Sequence, residues 1–405
     1  MKARFADLVA PMRYRDFRLL WSAQVFSELG DWAGRLALSV LVAEQTGSTL
    51  LTALVTSASV LPYIGIGQLL ATYVNRFPRR TTIIATDLGR AVLFAVLAIE
   101  MPIAPILILA FAAGCLTPPF ESARNALTPL SVPRERYGNA IAIASITFDL
   151  AVLFGYGTGG VLLTLVGARS ALLLNACSFV ISALFLSRIP AARDRIAGPP
   201  VRVRDGWRTV VDDPFIRRFF VSYTIVGACA VVGESLVVLY ALQVLLEDSS
   251  ASGLLAAAIP VGAILAAVLA QSRDNDTGKL RRASEIALLG SVSGIAVFAS
   301  APEIPVVLLG FVAIGALHAS RIPANEVAVI RMDDRVRGPA IAVLNGFMLG
   351  AQAIAAGLGG LVARSIGVRE TIVLSLFLSA AVGAWGALRP PHELRHAIRT
   401  STKQH

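Results

Sequence analysis

The sequence predicts an all-α polytopic membrane protein. Its twelve transmembrane helices would form two six-helix bundles related by a pseudo-twofold axis along the membrane normal. Three observations support this fold class: an apolar composition, twelve long charge-poor runs, and a repeat that relates the two halves of the chain. The first excludes a soluble architecture, and the other two set the number of helices and their symmetry.

The composition is that of a chain embedded in lipid. Hydrophobic residues make up 56% of the 405 residues and charged residues only 15%, and the mean hydropathy is +0.70. A soluble chain would carry about 25% charged residues. The surplus apolar side chains therefore face the lipid bilayer. The three cysteines all fall inside apolar runs, so no disulfide framework is predicted.

The charge-poor runs are long enough to cross a membrane. About 20 residues of helix, at about 1.5 Å per residue, span a hydrocarbon core of about 30 Å. The twelve runs lie near 17–43, 49–73, 81–99, 104–129, 138–165, 169–187, 216–246, 252–272, 284–301, 304–330, 338–363 and 369–388. The first is too long for a signal peptide and lacks a small-residue cleavage site, so we expect it to be retained.

The two halves of the chain repeat each other. A shift of 200 residues superposes Gly138 on Gly338, Gly157 on Gly357, Gly159 and Gly160 on Gly359 and Gly360, Gly167 on Gly367, and Arg169 on Arg369. A shift of 198 superposes Phe17 on Phe215 and Pro62 on Pro260. Parallel repeats of this kind are one plan of secondary transporters, which place the substrate site between the halves.

The repeat and the polar stretches set the domain boundaries. We predict an N-terminal six-helix bundle at 1–188, a linker at 189–215, a C-terminal six-helix bundle at 216–388 and a basic tail at 389–405. Pro62 and Pro260 lie at matching mid-span positions. Each would kink its helix, either to let the bundles rock or as a static bend.

The distribution of positive charge predicts the orientation. The net charge is +10, with most of the 36 Lys and Arg at the N-terminus, in alternate loops, in the linker and in the tail. The positive-inside rule places those segments, and hence both termini, in the cytoplasm. We predict that the protein lies in the inner membrane of a bacterium. The basic charge therefore predicts a lipid partner and no nucleic acid.

Three short motifs resemble those of the major facilitator superfamily. The stretch 67–80 is similar to its signature cytoplasmic loop, with matching residues at Gly67, Leu69, Arg76, Arg79 and Arg80 and with Asn75 at the position of the signature aspartate. The opening from Asp16 to Trp21 resembles the macrolide-efflux and enterobactin-exporter branch of that superfamily. The stretch 155–160 is similar to its antiporter motif, through Gly155, Gly157, Gly159 and Gly160.

Two positions depart from these motifs. The signature aspartate, which in the family is held to latch the cytoplasmic gate by capping a helix of the opposite half, is Asn75 in this chain. Asparagine can cap a helix but brings no charge to it, so a weaker latch is expected. The antiporter proline is Tyr156, which weakens the inference of export drawn from that motif.

The first span carries three charges on one helical face. Glu28, Asp31 and Arg35 stand at i, i+3 and i+7, and charges in the bilayer are costly unless they serve a function or are paired. The resemblance implies that spans one, four, seven and ten line the central cavity, so we expect Glu28 or Asp31 to take up and release a proton. The alternative is an Asp31–Arg35 pair that neutralises itself.

Charges in other spans predict two gates. Glu121 and Arg321 are mates at a shift of 200, and opposite charges at mated positions can meet across the pseudo-twofold axis to close the cytoplasmic side. Arg35 and Glu234 would form a matching outer pair, so that alternating access exchanges one pair for the other. The alternative is neutralisation within one half, for instance of Glu121 by Arg124.

Two further carboxylates are predicted to have different roles. Asp149 has the apolar Leu349 as its mate, so the shared scaffold does not require its charge, and we predict a functional or locally paired group. Asp87 is mated with Glu285 at a shift of 198, and Arg90 follows Asp87 by one turn. These residues are predicted to brace the signature loop.

The remaining motifs argue against other classes of protein. His392 and His396 match a zinc-protease pattern, but they lie in the tail without a third ligand, so neither a metal nor an enzyme is predicted. We predict a monomeric secondary transporter without cofactor or ATPase subunit that exports an amphipathic small molecule with the proton gradient as its energy source. Uptake on the same fold, or a non-transporting sensor or assembly protein, stay open as alternatives. The charge of the substrate is also left open.

Overall fold

The computed structural model is all-helical where it describes the chain: residues 9–63, 70, 77–190, 211–212, 214–270, 276–300, 303–319 and 334–388. No β-strand occurs among these residues. The N-terminal half contains α1 (Arg15–Thr46), α2 (Thr49–Val60), α3 (Arg79–Leu97), α4 (Ile103–Ser131), and a long helical stretch Tyr137–Ser187 that holds α5 and α6. The C-terminal half contains α7 (Pro214–Ser235), α8 (Ser249–Ala270), α9 (Asp276–Ala299), α10 (Ile304–Ala319), α11 (Asp334–Ile366) and α12 (Val368–Leu388).

A glycine separates α5 (137–166) from α6 (168–187). Gly167 adopts φ 77° and ψ 168° inside the stretch, a backbone conformation that favours glycine because it has no Cβ. Its repeat mate Gly367 has φ 102° and stands between α11 and α12. The sequence repeat thus encodes the same turn in both halves.

Several helices are long and apolar enough to span a bilayer. By length and composition, five stretches of the described residues qualify: Ile103–Ser131, Arg134–Ser187, Phe220–Val244, Gly346–Ile366 and Val368–Trp385. One of these holds both α5 and α6, and α1 falls outside the set because of its charged side chains. Shorter apolar helices occur at Thr49–Val60, Ser250–Ala266, Ser284–Ala299 and Ile304–His318. The twelve-span count and the predicted domain boundaries stay predictions.

The two mated prolines act differently on their helices. Regular α2 ends at Val60, and Pro62 lies in the 3₁₀ turn that follows. Pro260 instead lies inside α8, which continues to Ala270. Proline has no backbone N–H and so leaves one helical hydrogen bond unmade, and a short 3₁₀ turn tolerates this loss. The two prolines therefore occupy equivalent positions in sequence without giving equivalent helices.

Arginines at repeat-related positions donate hydrogen bonds to carbonyl groups at a neighbouring turn. Arg169 donates to the carbonyl of Ala98 over 3.4 Å, and its mate Arg369 donates from Nε to the carbonyl of Phe298. Ala98 and Phe298 are themselves mates at the shift of 200. The turns at 47–48, 98–102, 167, 246–248, 300 and 367 lie at one end of the helices, and we call this the Gly47 end.

Small residues bring the two halves into contact near the Gly47 end. A Cβ atom built on Gly160 of α5 would lie 2.8 Å from the Cα of Gly253 of α8. A Cβ atom on Gly360 of α11 would lie 2.2 Å from the Cβ of Ala53 of α2. The repeat relates α5 to α11 and α2 to α8, so two equivalent close helix crossings join the halves.

The signature-like loop is only partly described. Gly67, Asn75 and Arg76 lie outside the described residues, so the expected weaker latch stays a prediction. Arg79 donates to the carbonyl of Ala126 in the last turns of α4 over 3.2 Å, and Arg80 donates to the carbonyl of Ser187 at the end of α6. Arginines near helix C-termini stabilise the exposed carbonyls there.

Candidate functional site

A cavity of about 470 Å³ lies between the helices of the two halves. This volume falls within the range of small-molecule sites, about 300–1,000 Å³. The charged side chains that line it are Glu28, Asp31, Arg35, Arg90, Glu121, Arg124 and Glu234. Aromatic and polar side chains from both halves complete the wall, among them Trp32, Phe120, Phe148, Tyr223 and Gln352.

One ion pair in the cavity joins α1 to α4. Arg124 Nη1 lies 2.6 Å from Glu28 Oε1, and the two side chains are only 16% and 12% exposed. Gln24 also donates to Glu28 Oε1, over 3.4 Å, and to the carbonyl of Ala144 in α5 over 3.0 Å. Glu28 therefore sits in a polar network that spans three helices.

A second ion pair is formed within α1. Arg35 Nη2 lies 3.0 Å from Asp31 Oδ2, at the i, i+4 spacing that brings side chains together on one helical face. The guanidinium group of Arg35 also stacks over the ring of Trp32, 4.9 Å from its centroid. The self-neutralising pair that the sequence left open is present in this structure.

Glu234 of α7 is bonded to the opposite half through a tyrosine. The hydroxyl of Tyr156 in α5 donates to Glu234 Oε1 over 2.7 Å. The Tyr156 ring packs edge-on against Trp32, with 5.3 Å between centroids, and Trp32 packs against Phe148 at 6.0 Å. A carboxylate of one half thus meets an aromatic wall of the other.

A buried network stands behind the cavity wall. Arg90 donates to Asp87, and Ser182 of α6 donates to the other oxygen of Asp87 over 2.6 Å. The guanidinium of Arg90 lies between the rings of Phe120 and Phe179, 4.4 Å from each centroid. Because Asp87 neutralises Arg90 inside the protein, the pair joins α3 to its neighbours and adds little net charge to the cavity.

The structure brings most of the predicted charged residues together. Asp149 of α5 is half-buried and is not among the residues that line the cavity. Arg321 lies outside the described residues, so the predicted Glu121–Arg321 gate stays a prediction. In the described conformation Arg35 contacts Asp31 and Glu234 accepts from Tyr156. The predicted Arg35–Glu234 gate therefore stays a prediction for another conformation.

The glycines of the antiporter-like motif have distinct surroundings. A Cβ atom on Gly155 would lie 2.6 Å from the Cβ of Trp32, and one on Gly159 would lie 3.1 Å from the Cα of Ala33, so both let α5 approach α1 closely. A Cβ atom on Gly157 would meet nothing within 4 Å. The motif therefore combines two faces of α5: one packs on α1, and the other reaches α8 through Gly160.

Three contributors to the site were not predicted from the sequence. Tyr156 was noted only as a departure from the antiporter motif, and Gln24 and Trp32 were not singled out. A signal for Gln24 was available, since it lies one helical turn before Glu28 within an apolar span. The signal for Trp32 was its place between Asp31 and Arg35.

Sequence relatives are found among transporters. The chain is 28% identical over 172 residues to the uncharacterized MFS-type transporter YfiS of Bacillus subtilis (strain 168), a match of 42% of this chain and 41% of the relative. It is 24% identical over 187 residues to macrolide efflux protein A of Streptococcus pyogenes, covering 44% of this chain and 46% of the relative. These matches span less than half of each relative.

Solved transporters share the fold over almost the whole chain. A bacterial homologue of the human lysosomal transporter Spinster, in an inward-facing and unoccupied conformation, superposes with a TM-score of 0.72 at 14% identity over 92% of this chain and 96% of the other. A POT family transporter in complex with 5-aminolevulinic acid superposes with a TM-score of 0.73 at 10% identity over 92% and 95%.

The family follows from a match over nearly the full length. The model of the transmembrane secretion effector family matches residues 6–401. The resemblance drawn from the signature-like loop and the antiporter-like motif is thereby confirmed at the level of the superfamily. The chain belongs to the transmembrane secretion effector family of the major facilitator superfamily of membrane transporters.

Proposed function

We propose that this protein is a proton-coupled exporter of amphipathic small molecules that works by alternating access. It would act as a monomer with twelve spans in two six-helix bundles, in the bacterial cytoplasmic membrane with both termini in the cytoplasm. The proton gradient is its energy source, and it requires no cofactor. A drug, a siderophore or another secondary metabolite would fit this description of the substrate.

The observation that carries the proposal is the charged cavity between the halves. Its lining combines two carboxylate–arginine pairs, at Glu28–Arg124 and Asp31–Arg35, with aromatic side chains and a further carboxylate at Glu234. Charged groups at such depth are costly unless they serve transport or a structural pair. The macrolide efflux protein among the relatives supports export as the direction.

The ion pairs suggest how a proton would drive the cycle. Protonation of Glu28 or Asp31 removes the negative charge that holds the paired arginine. The freed arginine then changes its contacts, and the cavity wall changes its charge. Asp31 is the favoured proton carrier because its partner Arg35 lies on the same helix, so that releasing the proton reforms the pair without moving another helix.

The proposal is tested by the retention of ethidium, a lipophilic cationic dye, in cells that express the protein. Export predicts lower retention in cells with the wild type than in cells with Asp31→Asn. A protonophore should raise retention in the wild type to the level of the variant. Equal expression of the two proteins in the membrane, measured by immunoblot, is the control.

Two outcomes would count against the proposal. Higher dye content in cells with the wild type than in cells without the protein would indicate uptake on the same fold. Equal retention in all strains, repeated with a panel of cationic and anionic dyes and macrolides, would contradict an exporter of broad specificity.

A further inference from the structure

The Glu234–Tyr156 hydrogen bond joins two residues that the family motifs do not explain. Tyr156 stands where the antiporter motif has proline, and its side chain is buried, with only 7% of the residue exposed. Its hydroxyl lies 2.7 Å from Glu234 Oε1. This hydrogen bond connects α5 of one half directly to α7 of the other.

The surroundings of Glu234 leave its charge poorly compensated. Among the described residues, no arginine or lysine forms a salt bridge with Glu234, and its partner is the neutral Tyr156 hydroxyl. The Asp31–Arg35 ion pair on the facing wall is formed within α1. An anionic carboxylate at the edge of a small-molecule cavity is best stabilised by a cation that enters the cavity.

The wall that faces Glu234 suits an organic cation. Trp32 packs edge-on against both Tyr156 and Phe148, which gives an aromatic surface beside the carboxylate. Arg35 already lies 4.9 Å above the Trp32 ring, which shows that this surface accepts a cation. An amine with an apolar body can therefore place its charge on Glu234 and its body on the aromatic rings.

The same bond lies beside the contacts that close the Gly47 end. One helical turn beyond Tyr156, Gly160 meets Gly253 of α8, and the carbonyl of Tyr156 itself lies 2.9 Å from a Cβ built on Gly253. Thr49 of α2 donates over 3.5 Å to Gln243, which lies in the π-helical turn Tyr240–Val244 after α7. A hydrogen bond between α5 and α7 at this place favours the conformation in which these contacts are made.

We propose that Glu234 and Tyr156 form a cargo-operated latch between the two halves. The ammonium group of a cationic amine cargo binds the Glu234 carboxylate in place of the Tyr156 hydroxyl and so releases the halves at the Gly47 end. A charge-assisted ammonium–carboxylate bond is stronger than a phenol–carboxylate bond, and the cargo shifts the equilibrium because it binds the released state better. This inference rests on the proposed function and adds the chemical class of the cargo.

The reporter is a cross-link across the Gly47 end. Thr49→Cys and Gln243→Cys, in a chain whose Cys115, Cys177 and Cys229 are replaced by alanine, are joined by a short bis-methanethiosulfonate reagent. The initial rate of cross-linking in membranes measures how often the two halves are closed at this end. The probe is dansylcadaverine, an aromatic body with a primary ammonium, and its N-acetylated form is the neutral control.

Two variants separate the latch from the cargo site. Tyr156→Phe keeps the ring on Trp32 and removes the hydroxyl, so cross-linking without probe should slow by about three- to tenfold, the range that one hydrogen bond allows. Glu234→Gln keeps an acceptor for the hydroxyl but removes the charge. Without probe it should slow cross-linking less than Tyr156→Phe does, because a neutral amide is a weaker acceptor than a carboxylate, and it should no longer respond to dansylcadaverine.

The controls make each outcome decisive. Dansylcadaverine should slow cross-linking in the parent chain, and its acetylated form should not. Tyr240→Phe removes a buried tyrosine hydroxyl that lies outside the cavity and should leave the rate unchanged. If Tyr156→Phe cross-links as fast as Tyr240→Phe, the latch is wrong.

The cargo assignment has its own contrary results. An equal effect of the probe on the parent chain and on Glu234→Gln, or an equal effect of the two forms of the probe, would overturn it. Either result can occur in a protein that still exports ethidium, whereas loss of dye export concerns the proposed function itself.

Discussion

The two halves share their turns but differ in the charge of their cavity walls. Gly167 and Gly367 adopt positive φ at equivalent turns, and Arg169 and Arg369 bind carbonyl groups at equivalent positions. By contrast, six of the seven described charged side chains that line the cavity belong to the N-terminal half. The described part of the C-terminal half contributes Glu234.

This difference shows that the repeat preserves the turns and helix crossings of the two halves but not the charged side chains of the cavity. At a shift of 198, Asp31 corresponds to Cys229 and Arg35 to Gly233, so the ion-pair chemistry of α1 has no copy in α7. Two halves that move against each other need matched turns and close helix crossings. They do not need two sets of titrating groups, and one half can carry the charges while the other supplies the facing wall.

The largest effect is expected where the charged half loses one partner of its interhelical pair. Glu28→Gln removes the Glu28 carboxylate from Arg124, which stays charged at any physiological pH. Arg124→Gln leaves a carboxylate that can neutralise itself by protonation. Both variants should reduce dye export by about tenfold or more, and Glu28→Gln should lower the free energy of unfolding more, by about 1–3 kcal/mol for a partly exposed pair.

The double variant Glu28→Gln/Arg124→Gln shows whether the two residues act as a pair. Its thermal unfolding midpoint, followed by tryptophan fluorescence, should lie above that of Glu28→Gln alone. Glu100→Gln serves as the matched control, because Glu100 is 90% exposed and lies 3.9 Å from Arg169 at the surface. Additive losses in the double variant would show that the two charges are independent.

A smaller effect is expected at the glycines that let the halves touch. In Gly160→Val the new side chain meets the backbone of Gly253 and forces α5 and α8 apart. Gly157→Val, three residues earlier on the same helix, has open space. Cross-linking between Thr49→Cys and Gln243→Cys should therefore slow severalfold in the first variant only. Equal rates in the two variants would contradict the close crossing.

The corresponding crossing in the other half, between α11 and α2, gives a second test of the same comparison. Gly360→Val meets Ala53 of α2 and should slow the same cross-link by a similar factor. An effect at Gly160 without one at Gly360 would show that the two crossings are unequal despite their matched sequence.

The smallest effect is expected at the arginines of the repeated turns. Arg369 binds the carbonyls of Phe298 and Ser300, whereas Arg169 makes long contacts of 3.4 Å and 3.9 Å with Ala98 and Glu100. Arg369→Ala should lower the free energy of unfolding by about 1–2 kcal/mol, and Arg169→Ala by less than about 1 kcal/mol. Thermal unfolding in detergent measures both, and the opposite order would contradict the hydrogen-bond geometry.

Local patterns predicted the parts of the site that one helix determines. The Asp31–Arg35 pair follows from the i, i+4 spacing, and the break at Gly167 follows from its place between two apolar runs. The Glu28–Arg124 pair joins residues 96 positions apart. Its geometry depends on how α1 and α4 are rotated against each other, and sequence spacing does not encode that rotation.

The Tyr156–Glu234 bond was missed for a related reason. Motif comparison treats Tyr156 as a lost proline, because a motif records which residue is expected and not what a different side chain can reach. Only the position of α5 relative to α7 in the structure shows that its hydroxyl meets Glu234. The contact between halves is therefore read from the structure alone.

The most direct test of the account is proton-driven transport by the purified protein. Proteoliposomes that hold the wild type or Asp31→Asn are given a pH gradient with an acidic interior. The accumulation of ethidium is followed by the rise in its fluorescence as it intercalates into DNA trapped inside the vesicles. Proton coupling through Asp31 predicts accumulation that requires the gradient in the wild type and only the protein-free background rate in Asp31→Asn. Accumulation in the wild type without a pH gradient, or at the same rate in the variant, would contradict proton coupling through Asp31.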